Sequence, residues 1–194
     1  MIFDPKTWQP VAIDAFGHVT AQGTPTDQPS QYLRIYTTDG GIITAKRCPT
    51  EKPLYCSRDG HFFSLTDNGA TLREVKPTYS PGRSKHRGGS AYPAIRWVGR
   101  TCHSLMWETW VGPRTPGMEI DHIDGNIMDW SLDNLEEITP AENRKRAKIL
   151  RCMRKAGNNP TKLPAARLKA IFASYELMDG DTQIIREMTK HIEL

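Results

Sequence analysis

The segment EIDHIDGNIMDWSLDNLEEITPAEN, residues 119–143, is dense in acids and amides and holds one histidine. Its apolar residues are interspersed at about the share of the whole chain, so it is the run of acids and amides that points to polar work. Asp121 and His122 are adjacent, and asparagines follow at 134 and 143. Asp121 offers a hard carboxylate oxygen, and the side-chain carbonyl of Asn143 offers another. With only those two protein ligands, a cation keeps open positions for waters and a phosphate. That suits Mg2+ or Mn2+ better than a closed zinc cage. His122, neutral at working pH, is a candidate general base toward a water. Asn134 is suited to hold the loop, or the imidazole ring, by hydrogen bonds.

Two short strands and a helix must bring these residues together. A strand is expected over 118–123, a polar loop over 124–132, and a returning strand in DNLEEITP. A helix, PAENRKRAKILRCMRK, follows with Pro140 near its start. Adjacent strand residues point to opposite faces, but at a frayed strand end Asp121 and His122 can both reach one cleft. Upstream, AYPAIRWVGRTCHSLMWETWVG reads as a strand and then a helix from about His103 to Val111, broken by PRTPG.

The spacing resembles the HNH motif of phage and intron-associated homing endonucleases, whose pattern runs roughly [ND]HIDGNxxNNxxxNLEWVTxxEN. It stands here as DHIDGNIMDWSLDNLEEITPAEN. The resemblance implies Asp121 and Asn143 as ligands of a divalent metal and His122 as the general base. It implies Asn134 as the residue that fixes a ββα-metal hairpin. HSLMWETWVG, with His103 at its head, looks like the family's HRLVAxAF helix. In all, residues 54–150 carry the likeness. The chain departs from the pattern at Asp129 and Trp130, where the family has paired asparagines, at Glu137, and at Ser104. These positions bear on loop packing and DNA contacts more than on metal or base. A calcium-binding loop does not fit, because Met128 and Leu132 fall where oxygen ligands would be needed.

Charge supports the same direction. The net charge is a mild +4, but basic residues gather at Arg83, Lys85, Arg87, Arg96, Arg100 and Arg114. They gather again at Arg144, Lys145, Arg146, Lys148, Arg151, Arg154 and Lys155. Such clusters are either solvated faces or footprints of a phosphate backbone. His103 reads equally as a capping residue or a phosphate contact. The four cysteines have no metal-ligand spacing and are expected to be reduced, half-buried thiols. Trp97, Trp107 and Trp110 are expected in the core. No signal pattern or membrane-length apolar run occurs, so a soluble cytoplasmic protein is expected, phage-encoded and acting in the host cell.

Elsewhere, YLRIYTTDGGIITAKR reads as a hairpin, and 54–76 reads as a meander turning at Asp59-Gly60 and Asn68-Gly69. Residues 163–177 and 181–192 read as amphipathic helices. They are either a helix-turn-helix reader, with Gln183 and Arg186 facing bases, or a packing hairpin. The expected fold is α+β: a small antiparallel sheet module, a ββα-metal nuclease core and C-terminal helices. The expected divisions are an N-terminal extension 1–53, a DNA-contacting sheet 54–100, a core 101–156 and a helical pair 157–194. The expected activity is hydrolysis of double-stranded DNA by a monomer with one active site, which favours nicking. A catalytically idle DNA-binding regulator and a phage structural or packaging-associated protein are the alternatives.

Overall fold

A computed structural model describes residues 2–3, 10–13, 19–20, 31–36, 41–66, 71–79 and 92–176. The chain divides into two compact units, Met1–Gly112 and Pro113–Leu194.

The first unit is built on one sheet of eight strands, in the order β3-β2-β1-β4-β5-β6-β7-β8. These are β1 (Ile2–Phe3), β2 (Pro10–Ile13), β3 (Val19–Thr20), β4 (Tyr32–Tyr36), β5 (Ile42–Arg47), β6 (Leu54–Ser57), β7 (Phe62–Thr66) and β8 (Thr71–Val75). All neighbours are antiparallel except β1 and β4. The expected β4–β5 hairpin and the meander strands are present. The turn at Asp59-Gly60 is present too, with Gly60 at φ 98°. The turns at 39–40 and 68–69 lie outside the described residues.

Alternation sends Leu33, Ile35, Ala45, Tyr55, Phe63, Leu65 and Leu72 to one buried face. Cross-strand pairs Leu33↔Ala45, Tyr55↔Phe63 and Leu65↔Leu72 knit that face together. No break falls at residue 53. Strands β5 and β6 pair through Ala45↔Ser57, Lys46↔Cys56 and Arg47↔Tyr55, so the extension and the sheet module expected on either side are one sheet.

A two-stranded ladder, β9 (Ala94–Ile95) with β10 (Arg100–Thr101), leads into helix α1 (Cys102–Trp110). This helix buries Cys102, Leu105, Met106 and Thr109. Thr109 donates its hydroxyl to the Leu105 carbonyl at 2.6 Å, and α1 packs against β5. All four cysteines are free and fully buried rather than half-buried. Burial pushes the Cys102 thiol up to about 12. Trp97, expected in the core, lies in the turn between β9 and β10 and is 43% exposed. Lys52 approaches its ring face at 5.9 Å.

The second unit begins with a hairpin, β11 (Glu119–His122) and β12 (Leu135–Ile138), with a short 3-10 turn over Leu132–Asn134 between them. Helix α2 (Pro140–Lys155) follows at once. Thr139 caps it, accepting from the Glu142 amide at 3.1 Å, and Pro140 takes the first turn, where no amide donor is needed. Arg154 and Lys155 in the last turn suit the negative end of the helix dipole. A 3-10 turn over Pro160–Lys162 leads to α3 (Ala165–Glu176).

Ile149, Leu150, Cys152 and Met153 of α2 pack with Leu163, Leu168, Phe172, Tyr175 and the loop residue Ile123. The first of the two expected C-terminal helices thus packs its inner face on α2. The second, with Gln183 and Arg186, lies outside the described residues. Truncation after Gly157 is expected to unfold this unit, because it strips the partners from the apolar stripe of α2. Loss of helical circular dichroism and rapid proteolysis would show it. Leu168→Ala alone should cost about 2–5 kcal/mol in urea denaturation. Among the described residues no helix is long and apolar enough to cross a membrane.

Candidate active site

The hairpin register is Glu119↔Ile138, Ile120↔Glu137, Asp121↔Glu136 and His122↔Leu135. Pairing is regular to the last residue, so the strand end is not frayed as expected. Alternation holds there: Asp121 shares a face with Glu119 and Glu136, and His122 takes the other. Helix α2 reaches the first of these faces through two side chains. Asn143 Nδ2 donates to Glu119 Oε2 at 2.7 Å, and Arg146 Nη1 donates to Glu136 Oε2 at 2.6 Å.

Asp121 is a carboxylate in a costly place. Its Oδ2 is buried and has no hydrogen-bond partner among the described residues. Burial pushes its carboxyl up to about 6, while the Arg146 charge and the His122 amide pull down and Glu136 and Glu119 push further up. Arg146 also bonds Glu142 at 3.0 Å, and Lys169 approaches Glu136 at 3.4 Å. Burial raises Glu136, but the Arg146 bond and charge, with Lys169, outweigh it and leave the group below the usual carboxylate range.

His122 is 3% exposed. Burial holds its imidazole down at about 4, against an upward pull from Asp129. The ring is neutral at pH 7, as a base must be.

Asn134 spans the loop that follows. Its Nδ2 donates to Asp124 Oδ1 at 2.8 Å and to the Asp129 carbonyl at 2.9 Å. Its Oδ1 accepts from the Asp124 amide at 3.2 Å, and its carbonyl accepts from Ile123 N at 2.9 Å. The amide thus ties both ends of the loop to the returning strand. Asp124 also accepts from the Asn126 amide at 2.8 Å. Asp129 accepts from the amide and hydroxyl of Ser131 at 3.1 and 2.7 Å. Its carboxylate supplies a side-chain turn where the homing pattern has an asparagine.

Gly125 sits at φ +68°, and a Cβ there would meet Leu150 Cδ1 at 2.9 Å and Arg154 Nη2 at 2.8 Å. Gly125→Ala is expected to cost about 2 kcal/mol or more, combining left-handed backbone strain with a clash against a buried leucine. A lowered urea midpoint with unchanged slope would show it.

The basic residues part company. Arg144, Lys145 and Lys148 are exposed on α2, with Lys145 only 3.9 Å from Glu142. Arg146 is withdrawn from that set: its side chain is 12% exposed, ion-paired twice, and stacked 4.9 Å over Phe172. Arg154 turns to the loop, donating to the carbonyls of Asp124 and Gly125 at 3.2 and 3.3 Å. In the first unit, Arg96 is exposed, while Arg100 is held by Glu108 and by Ser104 Oγ. His103 lies 3.3 Å from Thr101 Oγ1 and meets Tyr92 edge-on at 4.8 Å. Arg83, Lys85 and Arg87 lie outside the described residues.

Sequence reasoning missed Glu119, Asp124, Glu136 and the inward Arg146. The signal for Glu119 was its position two residues before Asp121, which puts both on one face of any strand.

Residues 100–145 match the HNH endonuclease family model. The match runs from β10 through α1, the hairpin and the first turn of α2, and supports an HNH nuclease assignment for this stretch. A 41-residue segment is 49% identical to Protein 3.8 of Escherichia phage T7, covering 21% of this chain and 34% of that protein. The chain thus spans about a third of the length of this curated relative. No solved structure matches the chain.

Proposed function

We propose that the protein is a divalent-metal-dependent HNH endonuclease of the homing type that hydrolyses DNA phosphodiester bonds. The observation that carries this reading is the pair Asp121 and His122 at the end of a half-buried hairpin inside the HNH-matching stretch. One is a carboxylate short of partners, and the other is an imidazole held neutral.

The donor set fits a hard cation. Asp121 brings a buried, unpartnered carboxylate oxygen. Asn143 spends its amide nitrogen on Glu119, which leaves its oxygen as a donor. Oxygen donors with few protein ligands suit Mg2+ or Mn2+. The cation would polarise the scissile phosphate and stabilise the leaving 3′ oxygen.

The chain's own residues supply the rest. His122 takes the proton of the attacking water at its ring nitrogen. Asn134 holds the loop beside it, which keeps the imidazole in place. Because Asp121 and His122 project to opposite faces of β11, the proposed phosphate would lie past the end of that strand, where both side chains could reach it. Products would carry 5′-phosphate and 3′-hydroxyl. A single motif per chain favours nicking by a monomer. Arg96, Arg144, Lys145 and Lys148, exposed in their units, are the proposed sequence-blind phosphate contacts, together with His103, Arg83, Lys85 and Arg87. The likeness to a phage protein supports a phage-encoded enzyme acting in the host cytoplasm.

The test is a supercoiled-plasmid assay. Conversion to open circles is expected with Mg2+ or Mn2+ and none in EDTA. Full activity in EDTA would overturn the metal reading. Tight DNA binding with no cleavage under any divalent cation would make the protein an idle DNA-binding regulator.

A further inference from the structure

Asn143 can serve a cation only with its oxygen, yet an amide can turn over by rotation about its last bond. The two ends differ in chemistry: the carbonyl end accepts and the NH2 end only donates. Something must decide which end faces the site. Glu119 Oε2 stands 2.7 Å from Asn143 Nδ2. An ionised carboxylate accepts and never donates, so it admits only the NH2 end of the amide. The backbone of Asn143 is fixed independently, its amide donating to the Thr139 carbonyl at 2.9 Å in the first turn of α2. Glu119 is fixed by the strand, two residues from Asp121 and on the same face.

We propose that Glu119 is a positioning residue of the metal site: its carboxylate holds the Asn143 side-chain amide so that the carbonyl oxygen, and not the NH2 group, is turned toward the cation that Asp121 binds. This rests on the HNH reading above and adds to it a residue acting through another. Its charge has a secondary effect, since it adds to the negative field around Asp121 without itself being a ligand. The arrangement explains why an acid stands at a strand position where its neighbour Asp121 is already short of compensating charge.

The experiment measures Mn2+ affinity of the full chain by electron paramagnetic resonance, alongside plasmid nicking. The variants are Glu119→Ala, Glu119→Gln and, as control, Asp121→Ala, each checked for fold by circular dichroism. Glu119→Ala is expected to weaken Mn2+ binding roughly 10–100-fold, the usual effect of losing a group that orients a ligand. Glu119→Gln can present either its carbonyl or its NH2 end to Asn143, so it should recover only part of the affinity and fall between the wild type and Glu119→Ala. The Asn143 side-chain amide resonance, followed with 15N-labelled asparagine, should broaden with Mn2+ in wild type, partly in Glu119→Gln and not in Glu119→Ala at matched concentration.

Wild-type affinity in Glu119→Ala would overturn the proposal. So would equal loss in the Ala and Gln variants, which would make the charge itself, as a ligand or a field, the active feature. If Asp121→Ala binds Mn2+ as the wild type does, the metal site is elsewhere, and both this proposal and the HNH reading beneath it fall.

Discussion

His122→Ala is expected to lower single-turnover nicking by about 10²–10⁴-fold, the usual cost of removing a general base. DNA affinity at constant salt should stay within about twofold, because phosphate contacts carry it. The ring is buried, so Ala leaves a cavity as well as removing a base. His122→Gln fills most of that volume with a group that cannot accept a proton at neutral pH. It should show the same loss of rate with a smaller loss of stability. Near-normal cleavage by either folded, metal-loaded variant would remove His122 from the mechanism.

The pH dependence follows from the same burial. An ordinary imidazole, near 6.5, would be half protonated at that pH and would halve a base-dependent rate. His122 is held at about 4, so it stays neutral until the pH falls well below 6. The acidic limb it contributes to the pH–rate profile should lie near 4, with no inflection at 6.5. Stability runs the same way. The unfolded imidazole takes its proton first as pH falls through 6.5, so this group's contribution to folding declines between 6.5 and about 4.

Asp121→Asn is expected to abolish metal-dependent nicking and, at pH 7, to raise the urea midpoint. The carboxyl has an ordinary value of 3.8 and is held at about 6 in the fold. A folded value above the unfolded one means the charged form is disfavoured by folding. The penalty is absent below 3.8, where both states are protonated, grows between 3.8 and 6, and is full above 6. Its size is roughly 3 kcal/mol, at about 1.4 kcal/mol per pH unit. A neutral amide of the same shape escapes it, so the gain should be about 2–3 kcal/mol at pH 7 and vanish near pH 4. The decisive companion measurement is added Mg2+. It should stabilise the wild type by mass action and leave Asp121→Asn unmoved. A variant less stable than wild type at pH 7 without metal would show that Asp121 is compensated in the fold, contrary to its orphaned Oδ2.

The two expectations describe one arrangement. In the proposed mechanism Asp121 costs the fold stability until a cation binds, and His122 is kept uncharged on the other face of the strand. Both follow from desolvation, which disfavours whichever form carries the charge: it raises the acid and lowers the base.

Much of this was legible in the amino-acid sequence, for local reasons. The hairpin and helix that carry Asp121, His122, Asn134 and Asn143 are set by local pattern, and they put Asp121 and Asn143 toward one face and His122 toward the other. The Thr139–Pro140 start of α2 and the Asp59-Gly60 turn are set by bonds within a few residues. What lay beyond reach depends on partners distant in sequence. Asn143 meets Glu119 across 24 residues, and Arg154 meets the Asp124 carbonyl across 30. Nothing in a run of basic residues tells which of them will face water. Arg144, Lys145 and Lys148 do, but Arg146 is drawn inward, because β12 puts Glu136 opposite Asp121 and α3 lays Phe172 under the guanidinium. The boundary expected at residue 53 failed for a related reason: a bend holding Pro49 and Pro53 looks the same whether it links domains or joins two strands of one sheet. Only the pairing of β5 with β6 decided that. Sequence determined which chemical groups the protein has and the order in which they come. Tertiary structure decided which of those groups are dry, because burial is a property of neighbours brought from elsewhere in the chain. It is burial that raises the aspartate's carboxyl and keeps the histidine neutral, as the proposed metal ligand and base require.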